Sequence, residues 1–513
     1  MTGAVDPIEL QVLSGGLRAI CDEMGAVLVR ASYSPNIKER HDCSTALFDA
    51  GGELVMQAEH IPVHLGSMPA AVESVAALAG GGPIAADDLW ILNDPFHGGT
   101  HLPDITLISP LLLADGLAGW VASRAHHADV GGPTPGSMPA DSRTLAEEGV
   151  VIEPQRVDDE DLARIAARMR RPSERLADLR AQRAANRRGA MRVAELAGRI
   201  GAERLRAGMA AVLDYAERRS RSAIAALADG VYEAADELEA AGGGAIPLRV
   251  AVAVAGERIG VDFAGSATQV EGNLNCPMPV TRAATLFAIR ALTDPDAPAS
   301  AGAFRPVTID APAGSVLNAL PPAAVAAGNV ETSSRVADLV FAALGDVAAG
   351  PAQGQGTMNN LTFAGRGDAE ELTYYETIGG GQGACRSGPG PSAVHVAMSN
   401  TLNTPVEALE GELPLRITEL AIRRGSGGAG RHRGGDGVVR SFEALAPLRF
   451  SLITERRARA PRGRDGGGDG APGRNTLNGE PLPAKCQGTM GPGDVLTIET
   501  PGGGGLGPAG DGG

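Results

Sequence analysis

DLWILNDPFHGGTHLPDITLISPLLLADGLAGWVASRAHHADVGG, residues 88–132, alternates apolar runs with phrases of Gly, Pro, Asp and His. Short apolar runs bounded by such turn residues read as strands, so DLWILND (88–94), ITLISPLLL (105–113) and LAGWVASRAHH (117–127) are expected to be strands. Each begins or ends at a histidine phrase, NDPFHGGTHLPD (93–104) or RAHHADVGG (124–132). The polar residues should therefore sit on loops at strand ends, held by a rigid sheet. Seven of the nine histidines fall between His41 and His127, close in sequence to Asp94, Asp104 and Asp129. Imidazole is both a common transition-metal ligand and the neutral-pH proton carrier, which marks this stretch as the active region.

Outward from this stretch, CSTALFDAGGELVMQ (43–57) reads as two strands joined through a Gly-Gly turn. Asp6 and Pro7 form an N-cap with proline at the first helical position, and Leu10, Leu13, Leu17, Cys21, Met24 and Leu28 recur at helical spacing. That helix is expected to pack on a sheet. EHIPVHLGSMPAAVESVAALAG (59–80) should begin irregularly and become a helix. From Asp161 to about Leu238 the Ala, Arg, Glu and Leu content predicts two or three long amphipathic helices. A β-rich part follows (246–265), then helices over 281–292 and 333–344 with strand material between them. From Gly425 the chain is saturated with glycine, which predicts a β-rich cap with tight loops and a flexible tail only in the final few residues. The expected fold class is mixed α/β (α+β) and multi-domain. The expected divisions are an N-terminal α/β domain with a loop-borne metal site (1–157), a long-helix segment (158–240), an α/β domain (241–424) and a Gly-rich, β-rich C-terminal region (425–513).

Composition excludes several functions. The formal net charge of -16 argues against a nucleic-acid binder, which should present a basic face. The Arg-rich stretch 168–192 interleaves acids and alanines, so a solvated or partner-facing helix surface is the better reading than an RNA contact. Lys38 and Lys485 are the only lysines, and no GxxxxGK[ST] phosphate loop exists; any nucleotide must be held another way, or by another chain. The five cysteines show no CxxC pairing, which fits a reducing cytoplasm rather than a disulfide framework. Neither export nor membrane insertion is expected, because there is no basic-then-apolar leader and no apolar run of about 18 residues.

In THLPD (100–104), Leu102 precedes Pro103 and is pushed toward extended or polyproline conformation, from which His101 and Asp104 could project on one side and converge on one ion. Gly98 and Gly99 would let the backbone bend tightly or approach a substrate. His126 and His127 follow a strand and should point to opposite faces, so only one can join the site; spacing does not decide which. Asp129 is available to orient a ligand imidazole. Glu39, Arg40, His41 and Asp42 form a further candidate group, while His60 and His64 are expected to bond locally or line the cavity, and His395 and His432 to be structural. No GxSxG elbow exists, and nothing securely pairs Cys43 or Cys276 with a base. Water activated by a divalent ion is the more economical nucleophile, since such an ion lowers the pKa of water toward about 7.

These phrases, with EEGVVIEP (147–154), DLRAQRAAN (178–186), GNLNCPMPVTRAA (272–284), AGAFRPVTIDAP (301–312), AGNVETSSRVADLV (327–340), QGTMNNLTF (355–363), YYETIGGGQGA (374–384), NTPVEALE (403–410) and SGGAGRHRGGDGVVR (426–440), resemble the hydantoinase B/5-oxoprolinase family, related to the large subunits of acetone and acetophenone carboxylases. The resemblance covers nearly the whole chain. It implies a divalent metal (Mn, Zn or Fe) held by Glu39, His101, Asp104 and His126, which leaves His127 and Asp129 beside the site as possible proton relays. It also implies a hydantoinase A-type ATPase partner that binds ATP with Mg and activates a small cyclic amide, in an αβ or (αβ)2 assembly. The activity it implies is ATP-dependent ring opening, with ketone carboxylation as the alternative. The chain departs from the family's pattern at RRARAPRGRDGGGDG (456–470) and CRSGPGPS (385–392), which bears on pocket shape and subunit contacts.

Overall fold

The quoted stretch folds into the centre of a six-stranded sheet. A computed structural model of the chain describes residues 6–58, 61–64, 66–366 and 371–509. His60 and the last four residues, expected to bond locally and to form a flexible tail, lie outside the described residues. Helix α1 (Pro7–Ala31) opens the chain with Pro7 in its first turn, and a short helix α2 (Pro35–Lys38) follows. The Gly-Gly phrase joins β1 (Cys43–Asp49) to β2 (Leu54–Ala58), and α3 (Met68–Ala79) leads to β3 (Trp90–Leu92). The predicted strands of the opening stretch become β3, β4 (Asp104–Leu113) and β5 (Gly116–His126); β6 (Gln155–Arg156) completes a sheet ordered β2-β1-β5-β4-β3-β6.

Three helices come next: α4 (Asp159–Ala166), α5 (Pro172–Ile200) and α6 (Ala202–Ile224). The leucines of α1 and the apolar side of α5 bury one face of the sheet, against Cys43, Leu47, Val121 and Ala125. The other face packs on α3 through Phe48, Ile108, Trp120 and Ala122. The arginines of 168–192 are largely spent on internal ion pairs, Arg183 with Asp159 and Arg188 and Arg192 with Glu23 of α1.

The predicted helical stretch ends early. Residues 230–239 form β7 (Gly230–Glu239), paired with β8 (Ala245–Ala255), so the helix-forming composition of EAADELE yields to cross-strand pairing. With β9 (Arg258–Asp262), and β10 (Val307–Asp310) beyond α7 (Met278–Thr293) and the short α8 (Ala301–Phe304), these make a four-stranded sheet. A single π turn, Gly328–Thr332, then runs into α9 (Ser333–Leu344).

The remaining chain adds β11 (Asn360–Arg366), β12 (Glu371–Glu376), α10 (Val406–Glu412), β13 (Leu415–Arg423), β14 (Gly437–Ala444), β15 (Leu448–Ile453), β16 (Arg474–Leu477), β17 (Glu480–Leu482), β18 (Lys485–Met490) and β19 (Val495–Glu499). They form two sheets, β12-β11-β15-β18 and β13-β14-β19-β16-β17, that share a core of Phe363, Phe442, Phe450 and Leu496. The architecture is the mixed α/β, several-sheet arrangement expected.

The glycines of the C-terminal part were expected to mark tight loops, and most instead form a packed interior. A Cβ on Gly434 would lie 1.9 Å from the Gly503 carbonyl oxygen, one on Gly427 2.0 Å from that of Gly434, and one on Gly505 2.1 Å from that of Ala429. Backbone amides bond across the same segments, Gly428 to Gly503 O at 2.8 Å and Gly505 to Gly468 O at 2.9 Å. Irregular extended segments thus stack backbone on backbone, at a spacing that side chains would forbid.

Candidate metal centre

Asp104 is the first residue of β4 and His126 the last of β5, and the hairpin register sets them directly opposite each other. Side chains alternate along a strand, so His126 shares the α3 face with Trp120 and Ala122. His127 takes the α5 face, where its Nε2 lies 2.9 Å from Gln182 Oε1. The alternation that spacing left undecided is thereby settled by register.

His101 reaches the same point through a turn. The Asp104 amide donates to the His101 carbonyl at 3.0 Å, so THLPD bends back on itself instead of running in the extended polyproline form expected from Leu102-Pro103. The bend brings the two side chains closer than extension would. Gly98, at φ 100°, seats the loop against α3, where a Cβ would come within 2.4 Å of Ala71 N, and Gly99 packs on the chain after β3, where a Cβ would come within 2.3 Å of Asn93 O. Buried Arg124 fixes the loop from below, donating to Gly98 O (2.9 Å), Ser67 Oγ (2.6 Å) and Thr106 Oγ1 (2.8 Å).

The three side chains form a tight triangle. His101 Nε2, His126 Nδ1 and Asp104 Oδ1 are each 3.2 Å from the other two. All three residues are buried, at 1–2% exposure, so water does not screen them. Each of the two facing ring nitrogens brings at most one N–H, and a carboxylate brings none. No placement of those protons turns all three contacts into hydrogen bonds; one repulsive contact always remains. A cation capping the triangle at about 2.0–2.2 Å from each atom removes the conflict, and that distance suits Zn, Mn or Fe with nitrogen and oxygen donors. These residues also form the one group of ligand-type side chains clustered in this way among the described residues. The donor set therefore fits a divalent ion.

Electrostatics point the same way. Burial alone would raise the Asp104 carboxyl, but the charge and hydrogen bond of His101 and the bonds from His126 and His64 hold it well below the usual carboxylate range. Burial pushes His126 down, against the pull of Asp104. The remaining Asp104 oxygen accepts from Thr100 Oγ1 at 2.6 Å and meets His64 Nε2 at 3.4 Å. His64 is in turn placed by Ser44 Oγ at 2.9 Å.

The other expected site residues are not among the three clustered ligand side chains. Glu39 is half-buried beyond the end of α2, where its charge acts on Glu412. Asp42 is nearer in effect, since its charge acts on His126, while its carbonyl accepts the His126 amide at 3.0 Å. His127 is pushed down to about 4 by burial. Asp129 accepts from Gly131 N (2.7 Å), Gly136 N (2.6 Å) and Arg170 (3.1 Å), with no bond to a ligand imidazole. His395 bonds locally to Ser399 at 2.7 Å, as expected of a structural histidine. The Cys43 and Cys276 thiols are buried and pushed upward, Cys276 to about 12, which leaves them poor nucleophiles.

Sequence reading missed two neighbours, Tyr375 and Glu148, and left the partner of Arg40 open. Tyr375 of β12 stacks on His126, with ring centroids 4.6 Å apart and planes 14° apart. Arg40 lies against the same tyrosine. Buried Glu148, pushed up to about 7 by desolvation and acted on by His101, braces the neighbouring chain by accepting from the Val325 and Ala326 amides. Tyr375 and Glu148 lay inside quoted motifs, but nothing local in the sequence tied them to the histidines.

The profile of the hydantoinase B/oxoprolinase family matches residues 6–509. An uncharacterized protein of Methanocaldococcus jannaschii is 39% identical over 98% of this chain and 91% of its own length. The 5-oxoprolinase of Dictyostelium discoideum is 38% identical over 87% of this chain but only 35% of its own length, so the chain spans about a third of that relative. Among solved structures, the ATP-dependent caprolactamase of Pseudomonas jessenii superposes with a TM-score of 0.92 at 27% identity, over 99% of this chain and 92% of that one. A nucleotide-free acetone carboxylase shares the fold, with a TM-score of 0.86 at 18% identity over 98% of this chain and 76% of that one. This chain belongs to the hydantoinase B/oxoprolinase family.

Proposed function

We propose that the chain is the metal-bearing half of an ATP-dependent cyclic amidase that opens a lactam or imide ring of the hydantoin or 5-oxoproline type. The observation that carries this reading is the buried His101–Asp104–His126 triangle, whose mutual contacts are relieved only by a cation. A divalent ion there would supply Lewis acidity toward a carbonyl and lower the pKa of water. Asp104 contributes a charge, kept ionised by three imidazoles, and His101 and His126 each turn one ring nitrogen toward the same point. Arg124 and the Gly98–Gly99 bend hold the loop in register with the strand ends. A fourth donor is assigned to Glu39 by family resemblance, with Asp42 as the carboxylate whose charge acts on His126. For His127 and Asp129 the contacts favour holding the strand end over relaying a proton, because each is engaged behind the site.

ATP and Mg would be handled by a hydantoinase A-type ATPase chain in an αβ or (αβ)2 assembly. Two facts support this: no phosphate loop is present in the sequence, and the chain matches about a third of a longer 5-oxoprolinase. The setting would be the cytoplasm; no helix among the described residues is long and apolar enough to cross a membrane. The test is purification with a co-expressed ATPase partner, followed by assays of ring opening and ATP loss on hydantoin, 5-oxoproline and caprolactam. Ring opening that needs ATP and is lost in His101→Ala supports the reading. Bicarbonate-dependent consumption of a ketone without ring opening would replace it with the carboxylase alternative.

A further inference from the structure

The ring nitrogens that face away from the triangle, His101 Nδ1 and His126 Nε2, are buried with no hydrogen-bond partner. Metal-binding imidazoles are ordinarily fixed by donating their second N–H to a carboxylate or carbonyl, which sets ring plane and tautomer. In this site that device is missing from both rings, so something else must hold them. The face of Tyr375, 4.6 Å from His126 and 14° from parallel, is the contact that fixes the plane of the His126 ring. His101 follows, since its ring is packed against His126 with centroids 5.0 Å apart.

The tyrosine itself is clamped at several points. Its backbone carbonyl accepts from Arg40 Nη1 at 2.6 Å, and the Arg40 guanidinium lies 5.3 Å from its ring centroid. Its hydroxyl donates to Asn360 Oδ1 at 2.8 Å. Asn360 Nδ2 in turn donates to Glu331 Oε1 (2.7 Å) on the π turn and to Ile453 O (2.9 Å). Arg40 is anchored further by Thr377 Oγ1 (2.8 Å) and Thr401 Oγ1 (3.3 Å). A ring held at its main chain, its face and its hydroxyl cannot rotate to follow a moving histidine.

We propose that Tyr375 is the positioning residue of the metal centre: its aromatic face, held by Arg40 and Asn360, takes the place of the usual hydrogen bond in fixing the His126 ring for coordination. The inference rests on the metal reading above and concerns geometry, so metal affinity tests it without any assay of turnover. The full-length chain, stripped of metal, is titrated with Mn²⁺ and bound ion is followed by electron paramagnetic resonance, with thermal unfolding measured alongside. Tyr375→Phe keeps the face and should bind within about threefold of the unaltered chain. Tyr375→Leu, and Tyr375→Met should the leucine variant not fold, remove the planar face; each should weaken binding by about 10–100-fold and change the bound-ion spectrum. A folded Leu or Met variant that binds as tightly as the unaltered chain overturns the proposal. So does a Phe variant as weak as the Leu variant, since the hydroxyl link to Asn360 would then be doing the positioning. Failure of the unaltered chain to bind Mn²⁺ or Zn²⁺ would instead overturn the metal reading itself, and this proposal with it.

Discussion

The buried triangle at the ends of β4 and β5 contrasts with a second buried polar cluster between β7, α9 and the chain after β15. There Arg335 bridges Asp236 and Glu455 (3.3 Å each), Arg456 bridges Asp236 and Asp338 (3.0 Å each), and Lys485 meets Glu455 at 2.6 Å. These three carboxylates face three buried cations, with the more exposed Arg462 adding a contact to Asp236 at 3.4 Å, and each of these charges has an opposite partner. The histidine cluster has a single carboxylate and three imidazoles, and among the described residues no arginine or lysine is bonded to that carboxylate. A network whose charges close among themselves serves to join elements; one left a cation short leaves a place for an ion. The comparison teaches that burial of ionisable groups does not by itself mark a functional centre, and that the state of their pairing does.

The largest expected effect falls on the open cluster. Asp104→Asn removes the only carboxylate of the triangle, so bound metal and ring-opening activity should both fall by more than about 100-fold, beyond the loss typical of residues behind the ligands. Metal is counted per folded molecule, because the bonds Asp104 accepts from Thr100 and the imidazoles also contribute to stability. Metal analysis and urea unfolding on one preparation give the two quantities; a folded variant with full metal content would erase the distinction between the clusters.

Arg335→Met should show the reverse pattern. It leaves Asp236 and Glu455 each short of a partner, and breaking one side of a buried pair costs about 3–5 kcal/mol. Urea unfolding should register that loss, while metal bound per folded molecule stays unchanged. A stable variant would mean that the ionic cluster contributes little to holding its elements together.

The smallest effect is a difference in pH response. Burial would raise Asp236, but Arg335 and Arg456 hold its carboxyl below the usual range. Its contribution to stability is thus present above the ordinary value of 3.8 and is lost as the pH falls below it. Glu148, beside the histidine cluster, has the opposite sign: burial raises it to about 7, so its contribution is present below 4.5 and is lost as the pH climbs to about 7. Unfolding measured across pH should lose its acid-side slope in Asp236→Asn and its slope between 4.5 and about 7 in Glu148→Gln. Parallel profiles in the two variants would contradict the assignment.

What could be read from the sequence follows the same divide. His101, Asp104 and His126 were legible because one hairpin and one short loop bring them together, and residue type announces their chemistry. Even so, the route was misjudged: Leu102-Pro103 favoured an extended loop, and the Asp104 amide closes a turn instead. Tyr375 and the partners of Arg40 were not legible, since they meet only when the third sheet packs on the first, and the ionic cluster forms only where the second sheet, α9 and the third sheet come together. The strand at 230–239 looked helical because Ala and Glu favour helices locally, whereas its pairing with β8 is a longer-range fact. Glycine content gave the place of the C-terminal stack but not its nature, as composition does not separate a glycine that turns from one that packs.

That stack is a core almost without side chains, and its response to temperature should differ accordingly. Unfolding an ordinary core exposes apolar surface and raises the heat capacity, by about 0.45 cal/mol/K per Å², while exposing peptide groups lowers it, by about 0.26. Where Gly428, Gly434, Gly503 and Gly505 lie backbone to backbone, the second quantity dominates. This end of the molecule should therefore have a flatter stability curve than the leucine-lined sheet that carries the triangle. With little apolar burial to lose its drive in the cold, the stack should be the part least weakened by cooling.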